Sequence, residues 1–311
     1  MTINLKAKIY NDENAARHHL EKLQWPDGPI CPHCGVVNEA TELQGESTRP
    51  GVYKCRPCQK PFSVTVGTVF ERSKIPLTKW LLATQLLCSS KKGISSHQLS
   101  RMLNVTYKTA WFMAHRIRES MAPAKGVPPM GGEGVTVEAD ETYIGKKDGK
   151  RKHPGAGGYG HKRTVLSLVE RGGKVRSFHL DSPKSVRAAL YEHLDPASTL
   201  HTDGAQTYKG FPVAEHESVD HSKGEYAREG VHVNTAEGFF SVFKRGMVGT
   251  YQHCGEQHLQ RYLAEFDFRM NTRAKLGFND TMRAEIALKG IQGKRLTYRR
   301  TNDAKGNSTE G

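Results

Sequence analysis

Two sets of residues in this chain have the types and the spacing to do chemistry. The first is sulfur: Cys31 and Cys34 in CPHCG, then Cys55 and Cys58 in CRPC. A C-x-x-C turn aims two thiolates at one centre. Two such turns with 20 residues between them complete a tetrahedron around Zn2+ at about 2.3 Å per sulfur. All four corners are cysteine, so the site is closed and structural. A reducing cytosol disfavours disulfides, and a redox motif needs only one pair. Cys88 lies in the apolar run WLLATQLLC, where a buried thiol is expected. Cys254 has His253 and His258 nearby but no second ligand pair.

The second set is oxygen: Asp140 in VTVEADETYIG, Asp203 in STLHTDG and Glu237 in HVNTAEGFFSVFKRGMVG. Val135, Val137 and Ala139 alternate with Thr136, Glu138 and Asp140, the period of a strand, so Asp140 points away from the valine face. Asp203 ends another strand. Around Glu237 the pattern is helical. At about 100° per residue, Ser241 falls about 40° from Glu237, Lys244 about 340° and Asn234 about 60°. Phe239, Phe240, Val242 and Phe243 fill the opposite face. Alone, that polar face reads as wet. Three carboxylates brought together repel unless cations join them. A pair of Mg2+ or Mn2+ ions about 3.5–4 Å apart satisfies that charge and suits phosphoryl transfer. Glu138 and Glu141 flank Asp140 as competing carboxylates. Asn234 caps the helix with Thr235 or serves as a ligand.

Before the cysteines, NDENAARHHLEKLQWPDG reads as a helix capped by Asn11, ended by PDG and packed on the ribbon. After them, Trp80, Leu81, Ala83, Thr84 and Leu87 recur at helical spacing until Gly93. Ser95 or Ser96 caps a second helix with Leu99, Met102 and Leu103. Thr106 caps a third from Tyr107 to about Met121. This is a helix-turn-helix plan, with Trp111, Phe112 and Ile117 inward and Lys108, His115, Arg116 and Arg118 toward DNA. A plain three-helix bundle is the alternative.

The Pro/Gly-rich stretch MAPAKGVPPMGGEG reads as a linker. Strands follow over 164–169 and 174–180, joined by a hairpin at 171–173. Ser182 and Pro183 open a helix, then comes the strand ending at Asp203. The order implies an α/β domain with a mixed sheet. The basic loop 146–163 carries Lys150, Arg151, Lys152, Lys162 and Arg163, suited to a phosphate backbone. Residues 256–270 cap the core, and the tail from about 293 reads as basic and disordered.

The 311 residues carry a formal charge of +14 with a pI of about 9.5, which points to a polyanionic partner, nucleic acid first. No apolar run approaches the roughly 20 residues that span a bilayer. The N-terminus lacks the apolar core of a secretion signal, so a cytoplasmic protein is expected.

The chain resembles the DDE-type bacterial insertion-sequence transposases that carry an N-terminal zinc ribbon and an RNase H-like, integrase-like catalytic domain. WPDGPICPHCG, ADETYIG, HTDGAQTY, HVNTAEGFFSVFKRGMVGTYQH and HLQRYLAEFDFRMNTR carry the resemblance, over roughly residues 15 to 275. It implies a helix and zinc ribbon over 1–70 and a helix-turn-helix-like region over 71–122. A linker over 123–134, a catalytic domain over 135–275 and a C-terminal extension over 276–311 follow. Asp140 and Asp203 become the first two catalytic acids, with Glu237 or Asn234 the third. Lys244 would hold substrate phosphate, and Arg245 counts with it among the DNA-binding residues. The implied function is a transposase that binds terminal inverted repeats, cuts at the element's ends and joins the 3′-hydroxyl to target DNA, acting as a dimer or higher oligomer, nucleoid-associated when on DNA. A DNA-binding regulator and a nuclease or resolvase on the same fold are the rival readings.

Overall fold

Tight turns at Cys31–Gly35 and Cys55–Gln59, each closed by a backbone hydrogen bond of 2.9–3.0 Å, bring the four cysteines together. The computed structural model describes residues 4–124, 126–147, 149, 159–220, 223–225 and 227–297. They form two compact units. One contains the described residues up to Ser89, Ser96–Ser120 and those from Asp280 on; the other contains Ser90–Ser95 and Met121–Asn279.

In the first unit, strands β1 (Ala40–Glu42), β2 (Tyr53–Cys55) and β3 (Pro61–Phe62) form an antiparallel ribbon, with Ala40 opposite Cys55 and Tyr53 opposite Phe62. Trp25, Tyr53 and Phe62 cluster with ring centroids 5.4–5.9 Å apart, a small apolar plug under the metal end. Sγ of Cys31 lies 3.6 Å from Cys58, and Sγ of Cys34 lies 3.6 Å from Cys55. A tetrahedron with bonds of about 2.3 Å requires edges of about 3.8 Å, so the donors fit zinc.

Helix α1 (Glu13–Gln24) is capped one residue later than the sequence suggested: the Asp12 side chain accepts from Ala15 N at 2.8 Å. Its Glu13 carboxylate accepts from Leu77 N and Thr78 N at 2.7 and 3.2 Å, closing the N-terminus of α2 (Leu77–Ser89). Tyr10 also reaches Gln85, and Gln24 reaches the Leu288 carbonyl. The helix therefore packs on α2 and α8 (Asp280–Lys289), tied to the ribbon by an Arg17–Glu42 pair at 3.7 Å. Helix α2 is buried almost all round, Cys88 included. Helices α3 (Ser96–Leu103) and α4 (Tyr107–Met121) meet at a tight turn through Asn104. There Ser100 Oγ donates to Val105 O, and Thr106 Oγ1 accepts from Thr109 N. The C-terminal extension departs from expectation: α8 packs on α2, and Val69 N and Lys294 Nζ donate to Ile291 O and Ser120 O. Residues 298–311 lie outside the described set.

The second unit is built on a five-stranded mixed sheet. Its strands are β4 (Thr136–Ile144), β5 (Arg163–Glu170), β6 (Val175–Leu180), β7 (Thr199–Asp203) and β8 (Glu215–Val219), ordered β6-β5-β4-β7-β8. β4, β5 and β6 are antiparallel; β4, β7 and β8 are parallel. This is the expected RNase H-like sheet with one unforeseen strand, β8, whose EHESV shows no apolar alternation. The segment expected to be a linker is partly core: Met130 is buried and bonds His193 O and Asp195 N.

Strand periodicity divides the core. Val137, Ala139, Leu166, Leu168 and Leu200 face helix α5 (Val186–His193) with Tyr208 and Phe211. Val165, Val169 and Val175 face α6 (Asn234–Gly246) and α7 (Leu259–Asn271), which contribute Phe239, Phe240, Phe243, Leu263 and Phe266. Helix α7 also satisfies the open edge of β6. Asn271 accepts from Val175 N and donates to Val175 O. Asp267 accepts from Ser177 N, and Gln260 bonds Ser177 O and His179 N, all at 2.7–2.9 Å. An edge strand thereby loses its free donors and acceptors. No described helix is long and apolar enough to cross a membrane.

Because the ribbon has few apolar contacts of its own, its folding is expected to depend on zinc. Chelation or Cys34→Ser should release one zinc per chain and collapse hydrogen-exchange protection in β1–β3 while leaving β4–β7 protected. Ribbon amides that stay protected after zinc is gone would contradict this.

Candidate active site

Asp140 and Asp203 are placed by sheet register. β4 and β7 pair Thr136 with Thr199, Val137 with Leu200 and Glu138 with His201. The same offset carried two residues on sets Asp140 opposite Asp203, beyond the last ladder pair. Neighbouring strands lie about 4.8 Å apart, and parallel partners point to the same side. That side is the one α6 covers, because Asp140 shares its phase with Glu138.

Glu138 is what brings α6 there. It is 0% exposed, yet its carboxylate is fully engaged. Oε2 accepts from Thr235 N at 2.8 Å and Ala236 N at 3.1 Å; Oε1 accepts from Thr235 Oγ1 at 2.9 Å and Arg171 Nε at 3.0 Å. His232 Nδ1 lies 3.2 Å away. A strand carboxylate thus caps the first turn of α6, where free N–H groups and the helix dipole favour negative charge. The expected cap from Asn234 is not made; Asn234 is exposed in the first turn. Arg171 continues the network to His201 Nδ1 at 3.0 Å and to the carbonyls of Gly230 and His232.

One turn into this anchored helix, Glu237 is exposed on the polar face, and its charge acts on Asp140. The Asp140 carboxyl is pushed up to about 7, first by burial and then by Asp203, Glu141 and Glu237, against the pull of a 2.8 Å bond from Glu141 N. Asp203 Oδ1 accepts from Ala205 N at 3.2 Å. Glu141 points to the other face; burial lifts it to about 7 as well, with the Tyr208 hydroxyl drawing it down. The three acids of the α6 side share one electrostatic neighbourhood without forming a tight cage. Among the described residues, the four cysteines are the one group of three or more possible ligands whose atoms all lie within 4.8 Å of one another. Mutual repulsion of ionised carboxylates favours that wider spacing. The donor set is nonetheless hard carboxylate oxygen, which fits Mg2+ or Mn2+.

Lys244 and Arg245 are exposed in the last turn of α6, with Lys244 two turns from Glu237 on the same face. Lys108 is exposed at the start of α4 and lines a cavity of about 510 Å³ with Arg72, Lys74 and Arg295. Lys162 is half-buried, 5.1 Å over the Tyr159 ring. Four expected DNA contacts are corrected, beginning with His115, which is 1% exposed. Arg116 is 7% exposed: its guanidinium donates to Glu71 O and Leu296 O and lies 5.1 Å over Phe112. Arg118 is 1% exposed. Arg163 is buried and donates to Cys254 O. Lys150, Arg151 and Lys152 lie outside the described residues. The sequence reading missed Glu138 as an anchor, although its i, i+2 step from Asp140 put both on one face; Arg171 carried no such signal.

Residues 130–271 match the model of the ISXO2-like transposase domain, and residues 11–61 match that of the transposase zinc-ribbon domain. A protein of Halobacterium salinarum, described as an uncharacterized protein in transposable element ISH50, is 30% identical over 292 residues, covering 87% of this chain and 95% of that one.

The raised carboxyls set a pH dependence. A folded-state carboxyl that keeps its proton up to about 7, against about 4 when unfolded, makes the metal-free fold lose stability as pH rises from about 4 through 7. Asp140→Asn should flatten part of that slope and raise the melting temperature by several degrees at pH 8. Glu141 and Asp267, also lifted to about 7, carry the rest. A melting temperature independent of pH and of this substitution would contradict the electrostatic picture. Glu138→Ala should cost about 3 kcal/mol in denaturant unfolding, since it strands Arg171 and two helix N–H groups.

Proposed function

We propose that this chain, which belongs to the ISXO2-like transposase family, cuts DNA at the ends of an insertion sequence and joins the freed 3′-hydroxyl to target DNA at one carboxylate site. The observation that carries the reading is the shared electrostatic neighbourhood of Asp140, Asp203 and Glu237. The acid that anchors α6, Glu138, is a separate residue.

In this reading Asp140 and Asp203 would hold the divalent cations, with Glu237 completing the ligand set from α6. Glu237 is favoured over Asn234 because a carboxylate supplies the negative hard oxygen that a divalent cation takes, and its charge reaches Asp140. Bound Mg2+ or Mn2+ supplies charge stabilisation for the attacking and leaving oxygens of an in-line phosphoryl transfer. Lys244, about 10 Å along the helix axis from Glu237, fixes a backbone phosphate and so the register of the strand. Glu138 holds α6 in place so that Glu237 and Lys244 keep their spacing from the aspartates. Half-burial of Asp140 raises the cost of an unneutralised charge and so increases the discrimination for a cation. The zinc ribbon and the α2–α4 helices bind the terminal inverted repeats. An element has two ends, so the active complex contains at least two chains.

Asp140→Asn and Asp203→Asn should each lower end cleavage and strand joining by about 10³-fold or more in Mg2+, while end-duplex affinity holds within a few-fold. Glu237→Gln should lose activity far beyond Asn234→Ala; the reverse order would move the third role to Asn234. Cleavage without joining by the wild-type chain would mark a nuclease, and binding without either would mark a regulator.

A further inference from the structure

The connection between α2 and α3, SSKKG at residues 89–93, sits for the most part with the sheet unit. Three contacts pin it there. Ser90 O accepts from Arg269 Nε of α7 at 2.8 Å. Gly93, at φ +96°, lies so close to the Tyr251 hydroxyl that a Cβ would collide with it. Gly246, the last residue of α6, leaves room for the Lys92 carbonyl; a Cβ there would stand 3.0 Å from that oxygen and strike the Phe266 ring. Ser90 Oγ donates to Gly93 O and closes the turn.

The backbone is thus fixed while the side chains of Lys91 and Lys92 are exposed. They stand at the C-terminal end of α6, beside the exposed Lys244 and Arg245. A helix C-terminus attracts positive charge, but four cations exceed what its last carbonyls need. Among the described residues, no carboxylate pairs with any of the four. A rigid, unneutralised cluster on the active helix is built for a polyanion. Gly246 lies nine residues from Glu237, about 13 Å along the axis. That is about four nucleotides at a rise of about 3.4 Å each.

We propose that Lys91 and Lys92, together with Lys244 and Arg245, form a phosphate track that grips duplex DNA about four nucleotides from the cut. The assignment rests on the transposase reading above. It gives the α2–α3 connection a role that the helix-turn-helix plan does not: its lysines serve the catalytic unit.

The test is the salt dependence of binding to a duplex carrying the element's terminal sequence, with the full-length zinc-loaded chain. Each lost phosphate contact lowers the slope of log K against log salt by about 0.9. K91A/K92A should lower it by about 2, and K91R/K92R should restore it. K184A/K209A, two exposed lysines on the α5 side of the sheet, should leave it unchanged. A wild-type slope in K91A/K92A, with end cleavage in Mg2+ intact, overturns the track and leaves the transposase reading standing. A wild-type chain that neither binds the duplex in a salt-dependent way nor cuts it overturns both.

Discussion

The sheet unit depends on one buried carboxylate. Glu138 sits in the middle of β4 with no solvent to pay for its charge, and is held by Arg171 and by the first-turn N–H groups of α6. A lone buried carboxylate costs several kcal/mol; here the helix N-terminus and a guanidinium offset that cost. The consequence is geometric. A strand residue grips the helix start, so the helix cannot slide or rotate on the sheet without stranding a charge. Two residues along the same face of β4 is Asp140, and one turn along the same helix is Glu237.

The rest of the unit supports that arrangement from outside. Helix α7 packs Leu263 and Phe266 against the phenylalanines of α6 and covers the β6 edge with Gln260, Asp267 and Asn271. Asp267, buried and lifted to about 7, bonds Ser177, whose hydroxyl meets Ser167 at 2.8 Å. Ser167 is the β5 partner of Asp140. The polar side chains beside Asp140 are therefore tied to one another across β5, β6 and α7. The acids themselves have few such ties, and Asp140 bears the electrostatic cost.

Much of this was legible in the sequence where the signal is local. The C-x-x-C spacing gave the sulfur tetrahedron, the period-two run gave β4, and the 100° step put Glu237 and Lys244 on one face with the phenylalanines opposite. What failed was non-local. The charge of Arg116, Arg118 and Arg163 suggested surface, but an arginine on a helix or at a strand start reveals nothing about whether carbonyls and rings will enclose it. β8 escaped because EHESV lacks alternation and owes its strand to pairing with β7. Helix α8 was hidden in a stretch read only as a C-terminal extension because its apolar residues, Ala284, Ala287 and Leu288, are small or few. Glu138 looked like a mere neighbour of Asp140; only the fold shows that its partner is a helix start 97 residues later.

The division of labour among the β4 carboxylates, Glu138 for the helix and Asp140 for the metal, is the central claim. Anomalous diffraction from crystals soaked in Mn2+ tests it most directly. The account predicts manganese density bridging the carboxylates of Asp140 and Asp203, within reach of Glu237, and none at Glu138. Density at Glu138, or an empty cleft between the two aspartates at saturating Mn2+, would contradict it.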